Sequence, residues 1–208
     1  MKTSFKAIFA TTLAAIVLST SAFATENKSQ GYTNISTVKN INKIQVCGNV
    51  KLILVQDAKE SIEINDSYYA KNALVQQQKD ELRISSFDKK TLTVIAHVNN
   101  LTSIEASDDV LVETAGSFNL LNLKITLNDN AKANINSNTV ALSSVLNAQS
   151  SLKLSGSTEN YSAVLGSVAK VNMNAFNAVE SSFATMPGTS IGSIKNEDTK
   201  GEVILTIF

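Results

Sequence analysis

The stretch IEASDDVLVETAG (104–116) is followed by ITLNDNAKANINS (125–137), SVLNAQSSLKLSG (144–156) and AVLGSVAKVNMNA (163–175). A degraded fifth copy, SSFATMPGTSIGSIK, runs from 181 to 195. The inward-type residue that opens each copy falls at Ala106, Leu127, Leu146, Leu165 and Ala184, in steps of 21, 19, 19 and 19 residues. A second short strand starts at Val110, Ala131, Leu152, Val171 and Ile191. A near-constant interval of this size marks stacked units, because each unit can bury its apolar face only against the next. Apolar and polar residues alternate within each copy, and an Asn, Ser or Asp corner separates two strands of about four residues. The expected fold is all-β, a parallel β-solenoid of about 20 residues per turn. Small residues at Ala106, Ala131, Ala133 and Ala184 predict a narrow core filled by side chains. Asn128 should lie over Asn147, with side-chain amides chained between neighbouring turns.

Upstream of the copies the chain also reads as strand. KIQV (43–46), VKLILVQ (50–56), SIEI (61–64), ELRIS (81–85) and TLTVIAHV (91–98) alternate or run apolar between turn residues. SYYAKNALVQQQ (67–78) tolerates a helix, but the period of two around it favours strand plus loop. Residues 39–100 are therefore expected to form irregular first turns and 101–208 regular ones, all in one domain.

The first 24 residues look like an export signal. Lys2 and Lys6 precede the apolar run AIFATTLAAIVL, and Ala22-Phe23-Ala24 is a small-x-small cleavage site. The run is shorter than the ~20 residues a spanning helix needs. Residues 25–38 are polar and aperiodic, a flexible lead-in. Export to the periplasm, the cell surface or the medium is expected, without membrane insertion. Removing Lys2 and Lys6 leaves 16 basic against 18 acidic residues, a balance that gives no reason to expect nucleic acid. The single cysteine, Cys47, cannot form an internal disulfide. It reads as a buried inert thiol, with an intermolecular bridge as the alternative.

Ile41, Ile44, Val46, Gly48, Val50, Leu52 and Leu54 form an I-x-x-I-x-V-x-G-x-V-x-L-x-L opening. A strand-turn-strand follows that ends in DELRI (80–84), and LTSIEAS (101–107) leads into the copies. Together these resemble the bacterial putative auto-transporter adhesin head GIN domain family, over roughly 41–207. The resemblance implies a single-stranded right-handed parallel β-helix and a cell-envelope or surface role in adhesion. It supplies no catalytic residues. Only Leu154-Ser155-Gly156-Ser157 keeps the family's Ser-Gly-Ser-Gly type of corner.

Asp108 and Asp129 occupy one column of the aligned copies, with Asp109 beside them. Stacked carboxylates are what a polysaccharide-cleaving enzyme would use, with a retaining glycosidase placing them ~5 Å apart. They could also form a weak Ca²⁺ site. Yet the column continues as Ala148 and Ser167, no Lys or Arg shares it, and Asp is a favoured corner residue. The structural reading is therefore preferred. His97 has no Cys or second His nearby to build a metal site or a triad. No G-x-S-x-G elbow, GxGxxG or Walker loop occurs. Adjacent Tyr68 and Tyr69 would point to opposite faces of an extended chain, leaving one to stack on a sugar or pack on the first turn. The ending GEVILTIF reads as the strand that closes the last turn. The expected function is a non-catalytic exported module, without cofactor or metal, that binds a glycan or protein surface at Asp108, Asp109, Asp129, Tyr68 and Tyr69. A small polysaccharide lyase or glycosidase using the stacked aspartates is one alternative, and a self-associating structural β-solenoid is another.

Overall fold

The computed structural model describes residues 32–35, 38–65, 73–86 and 88–186. Among them, thirteen strands form one mixed sheet curled into a half-barrel, and there is no helix. In chain order these are β1 (Tyr32–Ile35), β2 (Lys43–Gly48), β3 (Val50–Gln56), β4 (Ser61–Asn65), β5 (Ala73–Gln78), β6 (Glu81–Ser86) and β7 (Leu92–Val98). They continue as β8 (Ser103–Ala106), β9 (Leu111–Ala115), β10 (Phe118–Leu127), β11 (Lys132–Leu146), β12 (Ser151–Leu165) and β13 (Lys170–Thr185). Tyr68, Tyr69, residues 1–24 and the GEVILTIF ending lie outside the described residues. The fifth copy is described only as far as Met186.

Alternation decides which side chains enter the core. Leu92, Val94, Ala96 and Val98 of β7 are buried, and so are Ile44 and Val46 of β2. Fully burying a Val, Leu or Ile stabilises by about 1.5–3 kcal/mol. The inward rows of neighbouring strands meet in register: Ile44 lies between Leu82 and Ile104, and Leu52 between Val94 and Val112.

Two expectations are corrected. The sheet is not parallel throughout, because β1, β4 and β5 run antiparallel. Nor do residues 39–100 stack in chain order, since β2 and β3 lie between β6–β7 on one side and β8–β9 on the other. Local economy explains the antiparallel strands. β5 and β6 are joined by only Lys79-Asp80, with Lys79 at φ 58°, and a hairpin needs far less chain than a parallel crossover. The carbonyl of Asp80 then accepts the N–H groups of Asn42 (2.9 Å) and Lys43 (3.1 Å), seating the hairpin under β2. Ala73–Gln78 is strand, as preferred over helix. Tyr32–Ile35, expected in the lead-in, pair with β4.

From β8 onward the copies lie over one another. Ile104, Ile125, Ser144 and Ala163 form one column, and Ala106, Leu127, Leu146 and Leu165 another, as the alignment expects. The second column differs. Val112, Ala133, Leu152 and Val171 are partners, so Val110 and Ala131 do not align with Leu152. A slip of two residues keeps every inward side chain inward, so alternation cannot detect it. Ser150 falls opposite Ala131 as a result, and its buried hydroxyl has no hydrogen-bond partner among the described residues. In β13 one extra residue enters between the partners of Lys153 and Ser155, so Leu165 meets Thr185 in place of Ala184.

Large side chains fill this end of the core. Tyr161 packs edge-on against Phe176 (5.8 Å between ring centres) and Phe183 (5.7 Å), and its hydroxyl is 2.8 Å from that of Ser144.

Candidate functional site

The aspartates come together as the aligned copies predict, at one corner of the sheet. Gly48, Asp108, Asp129 and Ala148 follow one another there, all in the left-handed backbone region at φ 87°, 63°, 57° and 52°. Asp tolerates this region because its short side chain can bond locally. The Gly48 N–H donates to Asp108 Oδ2 (2.9 Å), and the Asp108 N–H donates to Asp129 Oδ2 (3.3 Å). Each carboxylate thus satisfies a backbone donor in the preceding layer. Asp109 Oδ1 accepts from Asn130 Nδ2 (2.7 Å). One position along, Asn147 Nδ2 donates to Asn128 Oδ1 (2.6 Å), and Asn128 Nδ2 to Ser107 Oγ (3.2 Å), the expected amide chain. All three acids are therefore engaged in holding the corner.

Ala148 breaks the device, since it brings a Cβ into the left-handed region and no oxygen for the Asp129 N–H. Ala148→Asn should stabilise the protein by about 0.5–1 kcal/mol, through easier left-handed backbone and a new acceptor without added charge. The urea midpoint checks this; an unchanged or lower midpoint would contradict the account of the corner.

Other singled-out residues divide. Cys47 is half-buried on the outward side of β2, where burial first and the Asp108 charge second push its thiol pKa up. A protonated thiol is a poor nucleophile. His97 has neighbours the sequence did not reveal, with Nδ1 3.5 Å from Asp57 Oδ2 and Nε2 3.8 Å from Glu63 Oε1. Asp57 sits below its ordinary pKa, chiefly because the Lys59 N–H donates to it. No group of three or more His, Cys, Asp or Glu among the described residues could hold a metal ion.

A recess lies elsewhere, along the middle of β10 to β13. In each of these strands the ladder skips one residue: Leu121, Val140, Glu159 and Val179 have no partner in register. Leu121 and Asn122 are exposed in succession, as are Glu159 and Asn160, and Val179 and Glu180. Two outward residues in a row mean a bend. Beside it runs an open cleft of about 360 Å³. One wall is the column Asn122, Ala141, Asn160 and Glu180, and the other is Lys124, Ser143, Ser162 and Ser182. Leu121 (72% exposed), Val140 (42%) and Val179 (78%), each one residue before the first wall in its strand, are exposed apolar side chains. Sequence reasoning missed this cleft, although the broken alternation of Leu120-Leu121-Asn122-Leu123 was a legible sign of the bend.

A second cleft, about 550 Å³, lies between the loops at 38–42, 58–60 and 99–100. Its carboxylate, Glu60, accepts from the N–H groups of Ile41 (3.1 Å) and Asn99 (3.4 Å), which makes it a loop clasp.

On the outward face of the second strands, Lys51 Nζ is 2.9 Å from Glu113 Oε2, and Asn134 Nδ2 donates to Glu113 Oε1 (3.1 Å). These two contacts, the lysine's first, hold the Glu113 carboxyl below its ordinary pKa. On the first strands Glu81 is held low in the same way by Arg83 and then Lys43.

The family whose description is "Putative auto-transporter adhesin, head GIN domain" matches residues 40–200. Among solved structures, the chain is similar to a putative adhesin from Bacteroides fragilis NCTC 9343, at TM-score 0.62 and 16% identity, covering 77% of this chain and 78% of that one. It is also similar to a putative adhesin from Parabacteroides distasonis ATCC 8503, at TM-score 0.56 and 14% identity over 74% and 77% of the two chains. A putative lipid binding protein from the same organism gives TM-score 0.54 at 11% identity over 76% and 79%. At such identities these neighbours speak for the fold alone. No curated protein matches the chain. No helix among the described residues is long and apolar enough to cross a membrane. With the family matching most of its length, the chain belongs to the putative auto-transporter adhesin head GIN domain family.

Proposed function

We propose that this protein is an exported, non-catalytic interaction module of the cell envelope or surface that binds a glycan or a protein. The observation that carries this reading is the cleft along β10 to β13. Its walls carry the amides of Asn122 and Asn160 and the hydroxyls of Ser143, Ser162 and Ser182, with Lys124 and Glu180 among them, and exposed apolar residues precede the first wall along the chain. Amides and hydroxyls suit the hydroxyl groups of a sugar chain, and exposed apolar side chains suit the carbon faces between them. The family's adhesin description points the same way. The stacked aspartates favour the corner role over catalysis, because each accepts a backbone N–H of the layer before it.

The parallel part, whose partners lie 19 to 21 residues apart, is read as a single-stranded right-handed β-helix. Parallel connections of that hand follow from the twist of the strands. Residues 1–24 would be the export signal and 39–208 one domain, working in the periplasm, at the surface or outside the cell.

The purified protein should be screened on an array of glycans and envelope polysaccharides, with product release followed in the same samples. Binding without product is the expected result. Product release that Asp129→Asn abolishes without loss of stability would overturn the non-catalytic reading in favour of a lyase or glycosidase. A blank on both counts, with particle size growing with concentration in light scattering, would favour self-association.

A further inference from the structure

The cleft does not account for the charge on the neighbouring face. In the outward columns of the second strands, Lys51, Leu111, Lys132, Ser151 and Lys170 follow one another, and beside them Ile53, Glu113, Asn134, Lys153 and Asn172. Lys132, Lys153 and Lys170 are all exposed. Glu113 is the acid in these columns and it is spent on Lys51. None of the three lysines has a carboxylate within ion-pair distance among the described residues. The acids of the adjacent corner are engaged by other partners, Asp129 by the Asp108 N–H and Asp109 by Asn130. The chain as a whole is balanced at 18 basic and 18 acidic residues, so this cluster is a local concentration of charge rather than a reflection of composition.

We infer that this face binds an acidic polysaccharide, a polymer carrying carboxylate or sulfate groups at regular intervals. The inference rests on the reading of the protein as a surface-binding module and names the ligand class for one face of it. Three observations select this ligand. First, neighbouring strands lie about 4.8 Å apart, so Lys132 and Lys170, two layers apart, repeat at roughly 10 Å. That spacing is on the scale of a disaccharide, so a polymer with an acid group on every sugar or on alternate sugars can present one to each lysine. Second, residues 132–134, 151–153 and 170–172 pair without a break, which fixes the spacing of the lysine backbones. Third, Ser151, Asn134 and Asn172 lie among the lysines and offer hydrogen bonds to sugar hydroxyls. No aromatic residue stands in these columns to stack on bases, which disfavours single-stranded nucleic acid. The contact is electrostatic and surface-exposed, so it weakens as salt shortens the screening length below ~10 Å.

Binding of the purified protein to polygalacturonate should be measured at low and moderate salt, beside neutral dextran, an oligothymidylate and phosphatidylglycerol vesicles. The K132Q/K153Q/K170Q variant should bind polygalacturonate at least roughly tenfold more weakly. K39Q/K59Q/K89Q, which removes the same charge elsewhere, should stay within about twofold. Melting temperatures of both variants report whether the fold is intact. Equal losses in the two variants would overturn the assignment to this face, as would no binding of the parent to polygalacturonate. Oligothymidylate or vesicles bound as tightly as the polyuronate would overturn the ligand class. A parent protein that ignores polygalacturonate but binds a neutral glycan or protein sinks this inference and leaves the broader function standing. One that binds neither sinks both.

Discussion

Replacing Tyr161 with alanine should lower stability by about 3–5 kcal/mol, the usual cost of emptying an aromatic site in a core. For a chain of this size that is a fall of roughly 6–20 °C in melting temperature. Tyr161 is almost fully buried and is the hub of the core's outer end, touching both Phe176 and Phe183 edge-on. Its neighbours in the same column, Leu123, Leu142 and Ser181, cannot expand to fill the space. Tyr161→Phe separates packing from the hydroxyl. It keeps the rings and loses only the bond to Ser144, so about 1–2 kcal/mol is expected.

Burial pushes the Tyr161 pKa up to about 12, against a smaller opposing effect of the Ser144 hydrogen bond. The folded state therefore holds the phenol proton more tightly than the unfolded chain does. The stability this contributes is fully present below about pH 10 and is lost as pH rises from there towards about 12. Over that window the parent should lose on the order of 2–3 kcal/mol more than Tyr161→Phe. Parallel alkaline melts of the two proteins would expose the error if the phenol is in fact solvated.

Gly156→Ala should cost about 2–5 kcal/mol. Gly156 is at φ 98°, where an L side chain strains the backbone by ~1–2 kcal/mol. Its added Cβ would also run into the carbonyl oxygen of Ser137, and that is backbone held in register. Overpacking of this kind costs a further ~1–3 kcal/mol. Gly116 is the internal control, since it has a similar φ of 90° but open space around its Cβ position. Gly116→Ala should therefore lose only about 1–2 kcal/mol. Equal losses at the two glycines, measured by urea unfolding, would mean that backbone conformation alone sets the cost. Gly48 belongs with Gly156, because its Cβ would meet the carbonyl of Ser86.

The same comparison between residues shows where sequence reasoning reached its limit. The corner was legible. Asp108 and Asp129 lie two residues past an inward apolar residue in successive copies, and the structure stacks them there. Asn128 over Asn147 was legible for the same reason. The basic face was not assembled from the sequence, because Lys132, Lys153 and Lys170 are spaced 21 and 17 residues apart and only the pairing puts them side by side. The cleft was hidden differently. Leu121, Val140 and Val179 look like core residues by type, and their exposure follows from a bend that drops one residue from each ladder. His97 met Asp57, just past β3, and Glu63, in the middle of β4, positions with no local signature.

By itself the sequence determined that this is an all-β chain, which side of most strands turns inward, and where the polar corners fall. Those properties follow from a period of two and a recurrence near twenty, and both can be read along a single chain. Only the tertiary structure decided how the strands of residues 39–100 are ordered in the sheet and in which register the second strands of the copies pair. A two-residue slip, as at Ser150, keeps inward residues inward, and inserting β2–β3 between β6–β7 and β8–β9 matches apolar rows as well as chain order would. Burial energy scarcely distinguishes such arrangements. The choice among them rests on hairpin closure at Lys79-Asp80, the close approach that Gly48 and Gly156 permit, and the hydrogen bonds that Asp108 and Asp129 make across the layers.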